Sequence, residues 1–345
     1  MVVFCGGLLY NGQMTKIQPS NGIDRRLSVA PMMDWTNRHC RFFHRLLAPD
    51  ALLFTEMVTA EAVLHGDAKR LLGHDPAEYP LALQLGGSNP DRLAQATRVA
   101  AAHGFQEINL NVGCPSDRVQ SGRFGACLMA EPALVADCVI AMQAETDLPV
   151  TIKCRIGIDD MDEEVGLDMF VDTLSAAGVQ IFYLHARKAW LKGLSPKENR
   201  DIPPLNYARA RRLAVRRPDL MIHLNGGLAD AATIMTELPD FAGVMLGRAA
   251  YKTPMLLADL NESIFGRAGK TRLEAAMAMA DYADAMEEIP LHAVTRHMLG
   301  LYASQRGARH WRRTLGEEAR QDRRGGTLIR ETALACEEMT TSWAA

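Results

Sequence analysis

The sequence predicts an α/β protein, a (β/α)8 TIM barrel followed by a C-terminal all-helical domain. Three observations carry this prediction. Eight apolar runs of strand length recur along the chain, helical segments separate them, and the strand pattern stops after about Asn261. Near-continuous hydrophobicity suits strands covered on both faces, as in a parallel sheet. Eight βα units over roughly 230 residues match the usual size of a barrel. A doubly wound sheet is the alternative. It rarely needs eight such regular units, and no G-x-G-x-x-G follows the first strand.

In chain order the runs are "LSVAPM" from Leu27, "ALLFTEM" from Ala51, "LALQLGG" from Leu81 and "EINLNVG" from Glu107. "PVTIKCRIG" from Pro149, "IFYLHAR" from Ile181, "LMIHLNGG" from Leu220 and "GVMLGRAA" from Gly243 complete the set. Between the third and fourth, "SNPDRLAQATRVAAAHG" reads as a helix. Asn89 can cap it, Pro90 suits its first position, and Gly104 ends it. From Thr271 four segments show helical periodicity: "TRLEAAMAMADYADAMEE", "PLHAVTRHMLGLYASQ", "GARHWRRTLGEEARQ" and "TLIRETALACEEMTTSW". The expected division is an N-terminal extension over 1–22, a candidate for disorder, then the barrel over 23–262 and the helical domain over 263–345.

Composition narrows the class. The chain has 345 residues, 48% hydrophobic and 23% charged, with a formal net charge of −3, as for a globular protein. No apolar run approaches the ~18 residues of a membrane span. The N-terminus lacks a basic leader and a long apolar core, so a signal peptide is not expected, and Met14 is a candidate alternative start. The seven cysteines (Cys5, Cys40, Cys114, Cys127, Cys138, Cys154 and Cys336) are odd in number and contain no C-x-x-C. That argues for a reducing cytoplasm and against disulfides or zinc. The expectation is a cytoplasmic protein with no membrane and no metal, and a monomer.

Barrel chemistry sits at the C-terminal strand ends. There the runs close on polar or small residues: Pro31-Met32-Met33, Glu56, Gln84, Asn109 and Asn111, Lys153 and Arg155, His185 and Arg187, Asn225-Gly226-Gly227, and Gly247-Arg248. The glycines after the seventh and eighth strands let backbone N–H groups approach an anion, and these loops form the usual barrel phosphate site. Arg248 adds a bidentate charge. The plainer reading is that they only make tight turns. Lys153 lies in an apolar strand, where an unpaired ammonium is costly. It is a candidate for a Schiff base or for neutralising electron-rich atoms of a cofactor. Gln84 offers a donor and an acceptor to a flavin or pyrimidine edge. His185 is a candidate ligand, phosphate contact or core histidine.

Cys114 follows "NLNVG" and precedes Pro115, which stops the strand. Its thiol should face the barrel mouth, as a nucleophile or as a general acid. A nucleophile normally wants a histidine base. None is obvious from the strand order, which favours the acid. Cys138 and Cys154 read as buried structural thiols, and Cys127 as loop packing.

At this point the motifs resemble a known family. "APMMDWTNRHCR", "NLNVGCPSDRVQSGRFGACLM", "VTIKCRIG", "YLHARKAWLKGLSPKENRDIPPL", "HLNGGL" and "GVMLGRAAYKTP" are similar to those of the tRNA-dihydrouridine synthases of the A type, over nearly the whole chain from Leu27. The resemblance implies an FMN-binding barrel with a helical tRNA-binding domain. The implied reaction is NADPH-dependent reduction of D-loop uridines, at positions 20 and 20a, to dihydrouridine. It implies FMN contacts from Pro31, Met32, Met33, Gln84, Lys153 and His185. Asn225, Gly226, Gly227, Gly247 and Arg248 would hold the phosphate, and Cys114 would be the catalytic acid.

The chemistry agrees with that role. The uracil C5=C6 bond is conjugated to the C4 carbonyl, so hydride adds at C6 and a proton must reach C5. A thiol with the reference pKa of ~8.5 is mostly protonated at neutral pH and can supply it. A uridine inside folded RNA must be flipped out, and this requires groups that hold the backbone. "RKAWLKGLSPKENR" carries Arg187, Lys188, Lys192, Lys197 and Arg200 against Glu198. Eight arginines lie between Arg296 and Arg324, with Arg309, Arg312 and Arg313 beside Trp311, a pairing suited to phosphates and stacked bases. The plainer reading is a solvated helix face. With the resemblance, Lys188, Lys197, Arg200, Arg309 and Arg312 become expected tRNA contacts, and Asn111 is expected to touch the inserted uracil. The main alternative is an FMN-dependent barrel of the dihydroorotate or dihydropyrimidine dehydrogenase kind, acting on a free pyrimidine. Schiff-base aldol chemistry at Lys153 and a non-catalytic RNA-binding barrel are the others.

Overall fold

The computed structural model describes residues 22–116, 119–120, 122–286, 288–321 and 325–341. The expected N-terminal extension up to residue 21, Cys5, Met14, Arg323 and Arg324 lie outside the described residues.

Each of the eight apolar runs forms a strand, the second continuing two residues past its run: β1 Leu27–Val29, β2 Leu52–Thr59, β3 Leu81–Gly86, β4 Glu107–Val112, β5 Val150–Arg155, β6 Ile181–His185, β7 Met221–Asn225 and β8 Gly243–Leu246. They form a closed, all-parallel barrel in sequence order, with β8 returning to β1 through Leu27 opposite Val244. The predicted helix after β3 spans Pro90–Ala101, and the Asn89 side chain accepts from Arg92 N as its cap.

Strand alternation divides the interior in two. On β4, Ile108, Leu110 and Val112 join the layer between strands and helices, with Leu83, Ile152 and Leu184 from neighbouring strands. The inward set is polar on this strand: Glu107, Asn109 and Asn111. A smaller apolar cluster that includes Phe54, Ala82, Tyr183 and Met245 fills part of the barrel interior. The buried Arg25 and Glu107 pair at 2.7 Å at the entry end of β4. A buried ion pair is tolerated when both ends are hydrogen-bonded. Here Glu107 also accepts from Thr151 and Tyr183.

The last barrel helix, Met255–Phe265, runs past the expected boundary at 262. Helices then follow at Arg272–Asp284, Leu291–Thr295, Ala308–Gly316 and Gly326–Thr341. The first carries a capping box between Thr271 and Glu274. The second is shorter than its periodicity predicts, because the chain continues as successive turns, with Met298 N donating to Thr295 O and Leu301 N to Met298 O. Close packing replaces the helix there. A Cβ on Gly300 would run into the Lys252 carbonyl, and Trp311 Nε1 takes Met298 O at 2.8 Å. The C-terminal helices pack onto the barrel through Tyr282, which stacks on Phe42 with ring centroids 4.3 Å apart and bonds His39 Nδ1 at 2.8 Å. Arg296 donates to Asp34 O at 3.0 Å beside the mouth.

Candidate active site

A cavity of about 780 Å³ opens at the C-terminal strand ends. Its wall brings together Pro31, Met32, Met33, Gln84, Asn111, Cys114, Lys153, His185, Arg200, Asn225, Gly226, Gly227, Gly247 and Arg248. Every residue expected at the cofactor, the expected acid and two of the expected substrate contacts therefore share one space. Lys188, Lys197, Arg309 and Arg312 do not line it.

β4 ends at Val112, where the chain turns back so that Gly113 N donates to Asn111 Oδ1 at 3.1 Å, and Cys114 sits half-buried on that turn ahead of Pro115. Its N–H donates to Asn111 Oδ1 at 3.0 Å, and its Sγ lies 3.5 Å from Ser116 Oγ. Cys138 and Cys154 lie fully buried in the layer between strands and helices. Burial pushes Cys138 and Cys154 up to about 12, so they stay inert protonated packing groups. Cys127 bonds the Phe124 carbonyl at 3.2 Å.

Lys153 reaches across to Asn225 Oδ1 at 3.2 Å, and Asn225 Nδ2 is held by Met245 O at 2.7 Å. Burial, then Arg155, brings Lys153 down to about 8, which leaves it largely cationic at neutral pH. Lys153, Arg155, Arg200, Arg248 and Lys252 line the cavity, and no Asp or Glu among the described residues does. Such a field suits anions. Arg248 holds Asp201 at 2.7 Å, so one edge of its guanidinium is already engaged.

The glycine loops are required by shape. Gly226 and Gly227 have φ of 106° and 70°, the left-handed region where a side chain is strained. A Cβ on Gly226 would lie 2.7 Å from His185 Cδ2, and one on Gly227 2.9 Å from Tyr207 OH. At Gly247 a Cβ would instead project into open space, with Met32 Sδ nearest at 3.9 Å. His185 Nε2 is buried and has no hydrogen-bond partner among the described residues. Burial and the surrounding cations drive His185 well below its ordinary pKa, so the ring is neutral. An unpaired buried polar atom beside an open cradle is what a site built for a polar group leaves behind.

Sequence reasoning named Arg155 at its strand end but gave it no role. Arg155 is buried, with Nε on Gly113 O at 3.0 Å and Nη1 on Lys188 O and Asn199 O at 2.8 and 3.0 Å. Its signal was available, since it stands two residues beyond Lys153 on the same inward face. Trp35 also lines the cavity and stacks on Tyr251 with ring centroids 4.3 Å apart.

The basic clusters divide. Arg187 donates to the carbonyl of Pro203, and Lys188 Nζ donates to Met161 O at 2.7 Å, so both brace the loop after β6. Lys192, Lys197 and Arg200 are exposed, as are Arg309, Arg312 and Arg313. One expectation is corrected: Trp311 is fully buried, against Tyr302 and on Met298 O, so it packs the helical domain and cannot stack on a base. The indole is the largest apolar group on its helix, and burying it outweighs exposure beside arginines.

The fold and site define a (β/α)8-barrel enzyme that gathers its chemistry at the C-terminal strand ends. The family model "Dihydrouridine synthase (Dus)" matches residues 28–338. A tRNA-dihydrouridine(20/20a) synthase of Xanthomonas campestris pv. campestris is 55% identical over 310 residues, 89% of this chain and 92% of that protein. One from Shewanella oneidensis is 50% identical over 318 residues, 91% of this chain and 95% of its own length. Among solved structures, the 2-naphthoyl-CoA reductase complex covers 70% of this chain and 50% of its own, with a TM-score of 0.52 and 12% identity. Morphinone reductase covers 71% and 87%, with a TM-score of 0.50 and 13% identity. At that identity the structures speak for the barrel fold alone. The chain belongs to the dihydrouridine synthase family of flavin-dependent oxidoreductases.

Among the described residues no helix is long and apolar enough to cross a membrane, and no group of three or more His, Cys, Asp or Glu residues is placed to hold a metal.

Proposed function

We propose that this chain reduces uridine to 5,6-dihydrouridine in the D-loop of tRNA, at positions 20 and 20a, in the cytoplasm, with FMN as cofactor and NADPH as reductant. The observation that carries this reading is the single cavity that joins the Cys114 thiol to Gln84, Asn111, Lys153, His185 and the two glycine loops. Its residues fit FMN. The open space at Gly247 and the charge of Arg248 suit the phosphate, and the unpaired His185 Nε2 supplies a polar contact. Gln84 and Lys153 offer hydrogen-bond donors to electron-rich ring atoms, and Pro31, Met32 and Met33 an apolar backing.

When bound, FMN supplies the hydride that uracil accepts at C6. The chain's own residues do the rest. Asn111 presents an amide N–H to the uracil edge. Lys153, steadied by Asn225 Oδ1 at 3.2 Å, would hold its charge at the polar edge of the cofactor ring. Cys114 donates its proton to C5 and regains one from solvent, with Ser116 within reach of its sulfur. Lys197 and Arg200, beside the cavity, and Arg309 and Arg312, on the helical domain, hold phosphates of the flipped loop. Lys188 contributes by bracing, through Met161 O, the protein loop after β6 that carries Lys197 and Arg200. The exposed cations favour RNA over a free pyrimidine, which needs none of them.

The test joins spectrum and product. The purified protein, incubated with FMN and then freed of unbound flavin, should retain flavin absorption, and with NADPH it should form dihydrouridine in an unmodified tRNA transcript at positions 20 and 20a. Absence of flavin absorption, or product from free uracil only, would overturn the reading.

A further inference from the structure

Inside the barrel a line of side-chain hydrogen bonds climbs from the Glu107 end of β4 to the loop of Cys114. Gly113 N and Cys114 N both donate to Asn111 Oδ1, at 3.1 and 3.0 Å. Asn111 Nδ2 donates to Gln84 Oε1 at 2.7 Å, and Gln84 Nε2 donates to Asn109 Oδ1 at 2.8 Å. Asn109 Nδ2 donates to Thr151 Oγ1 at 2.9 Å, and Thr151 donates to Glu107 Oε1 at 2.7 Å. Glu107 is held from its other oxygen by Arg25 at 2.7 Å.

The direction of this line is fixed at both ends. Only an oxygen can accept two backbone N–H groups, so the Asn111 amide has one orientation. The Arg25-paired carboxylate can only accept, so the Thr151 hydroxyl must point to it. Between these ends each amide has one arrangement that leaves every donor facing an acceptor. Reversing any one sets two donors or two acceptors against each other in a buried place, where an unsatisfied group is costly. Glu107, Asn109 and Thr151 are all fully buried, and none of them lines the cavity. Gln84 and Asn111 do line it, and each keeps one amide hydrogen beyond those this line uses.

We infer that Thr151, Asn109 and Glu107 are positioning residues that fix which way the Gln84 and Asn111 amides face the reaction cavity. The relay therefore makes both amides donors toward the cavity and anchors the turn that carries Cys114. This rests on the proposed reduction of uridine, which supplies the acceptors: carbonyl oxygens of the ring system and of the base.

Thr151→Val tests it. Valine keeps the shape but neither accepts from Asn109 nor donates to Glu107. The FMN-loaded full chain is assayed on an unmodified tRNA transcript with NADPH, beside the wild type and Thr151→Ser. We expect kcat to fall about 10- to 100-fold, the scale for small misplacement of reacting groups. KM for tRNA should stay within about 2-fold, because the RNA-holding cations are untouched. The visible band of the bound flavin should shift as Gln84 loses its fixed orientation. Serine, which keeps the hydroxyl, should restore rate and spectrum. Thr151→Ala, with no added methyl against Glu107, serves the same purpose if the valine protein does not fold.

Wild-type kcat and an unshifted band in the hydroxyl-free variants would overturn the relay. So would equal loss in serine and valine, since packing alone would then explain it. A wild-type protein that binds FMN but leaves the transcript unreduced would contradict the proposed function instead.

Discussion

At the barrel mouth the buried arginine is turned inward. Arg155 ties the carbonyls of Gly113, Lys188 and Asn199 into one frame. In the helix Ala308–Gly316 the arrangement is inverted. Arg309, Arg312 and Arg313 are exposed, and the aromatic residue among them, Trp311, is fully buried. In sequence both regions show simply as positions rich in cationic residues. The difference teaches that burial and partners assign the role. A guanidinium that reaches backbone carbonyls builds the site. One that reaches only water is available to phosphate. The mouth thus turns its guanidinium onto its own backbone, while the helix Ala308–Gly316 leaves its guanidinium groups exposed.

That contrast can be broken at several points. The largest effect belongs to Cys114. Cys114→Ala should lower the rate of dihydrouridine formation about 10²–10⁴-fold, the scale of a lost general acid. FMN binding and thermal stability should be retained. Full activity in that variant would show that the mouth does not work through this thiol.

Next comes Trp311. Trp311→Ala should destabilise the protein by about 3–5 kcal/mol, as for a large buried aromatic, seen as a lower unfolding midpoint in urea. An unchanged midpoint would place Trp311 with the surface groups after all.

A third effect lies at the seam between barrel and helices. Burial brings His39 and His44 down to about 4 and His297 to about 3. His39 bonds Tyr282 across this seam, and His297 Nδ1 bonds Tyr251 at 3.2 Å. In the unfolded chain these groups titrate near ~6.5, so the unfolded state binds more protons below that pH. Stability is therefore fully present above about pH 6.5 and falls as pH drops toward 4. The loss is on the order of a few kcal/mol. Unfolding midpoints at pH 7 and pH 5 should differ in that sense, and equal midpoints would refute it.

The smallest effects belong to the exposed cations. Arg309→Ala and Arg312→Ala should each change stability by no more than about 0.5 kcal/mol. Each should weaken tRNA binding and reduce the salt dependence of its affinity by about one unit of slope. A lost midpoint with unaltered tRNA affinity would reverse the contrast with Trp311.

The barrel was legible because eight apolar runs of strand length recur at regular intervals, several of them, such as "LSVAPM" and "GVMLGRAA", nearly continuous in hydrophobicity as suits strands covered on both faces. The lining of the cavity was legible where unusual residues stand at strand ends, as with Lys153, Gln84 and the glycines after β7. The internal relay was not. Glu107, Asn109 and Thr151 each look like ordinary polar residues of a strand, and their partners come from three strands whose register only the paired sheet sets side by side. The turn-rich segment after Thr295 was misread as helix, because the close approach of Gly300 to Lys252 is a tertiary constraint that leaves no periodic trace. Trp311 was misread for a related reason, since a helical turn shows which residues are neighbours but not which face is covered.

The most direct measurement maps dihydrouridine in tRNA from cells lacking this protein, complemented with the wild-type chain or with Cys114→Ala. The account predicts that dihydrouridine at positions 20 and 20a disappears in the absence of the protein, returns with the wild type, and does not return with Cys114→Ala. Dihydrouridine persisting at both positions without the protein, where no second enzyme makes it, or fully restored by the alanine variant, would contradict it.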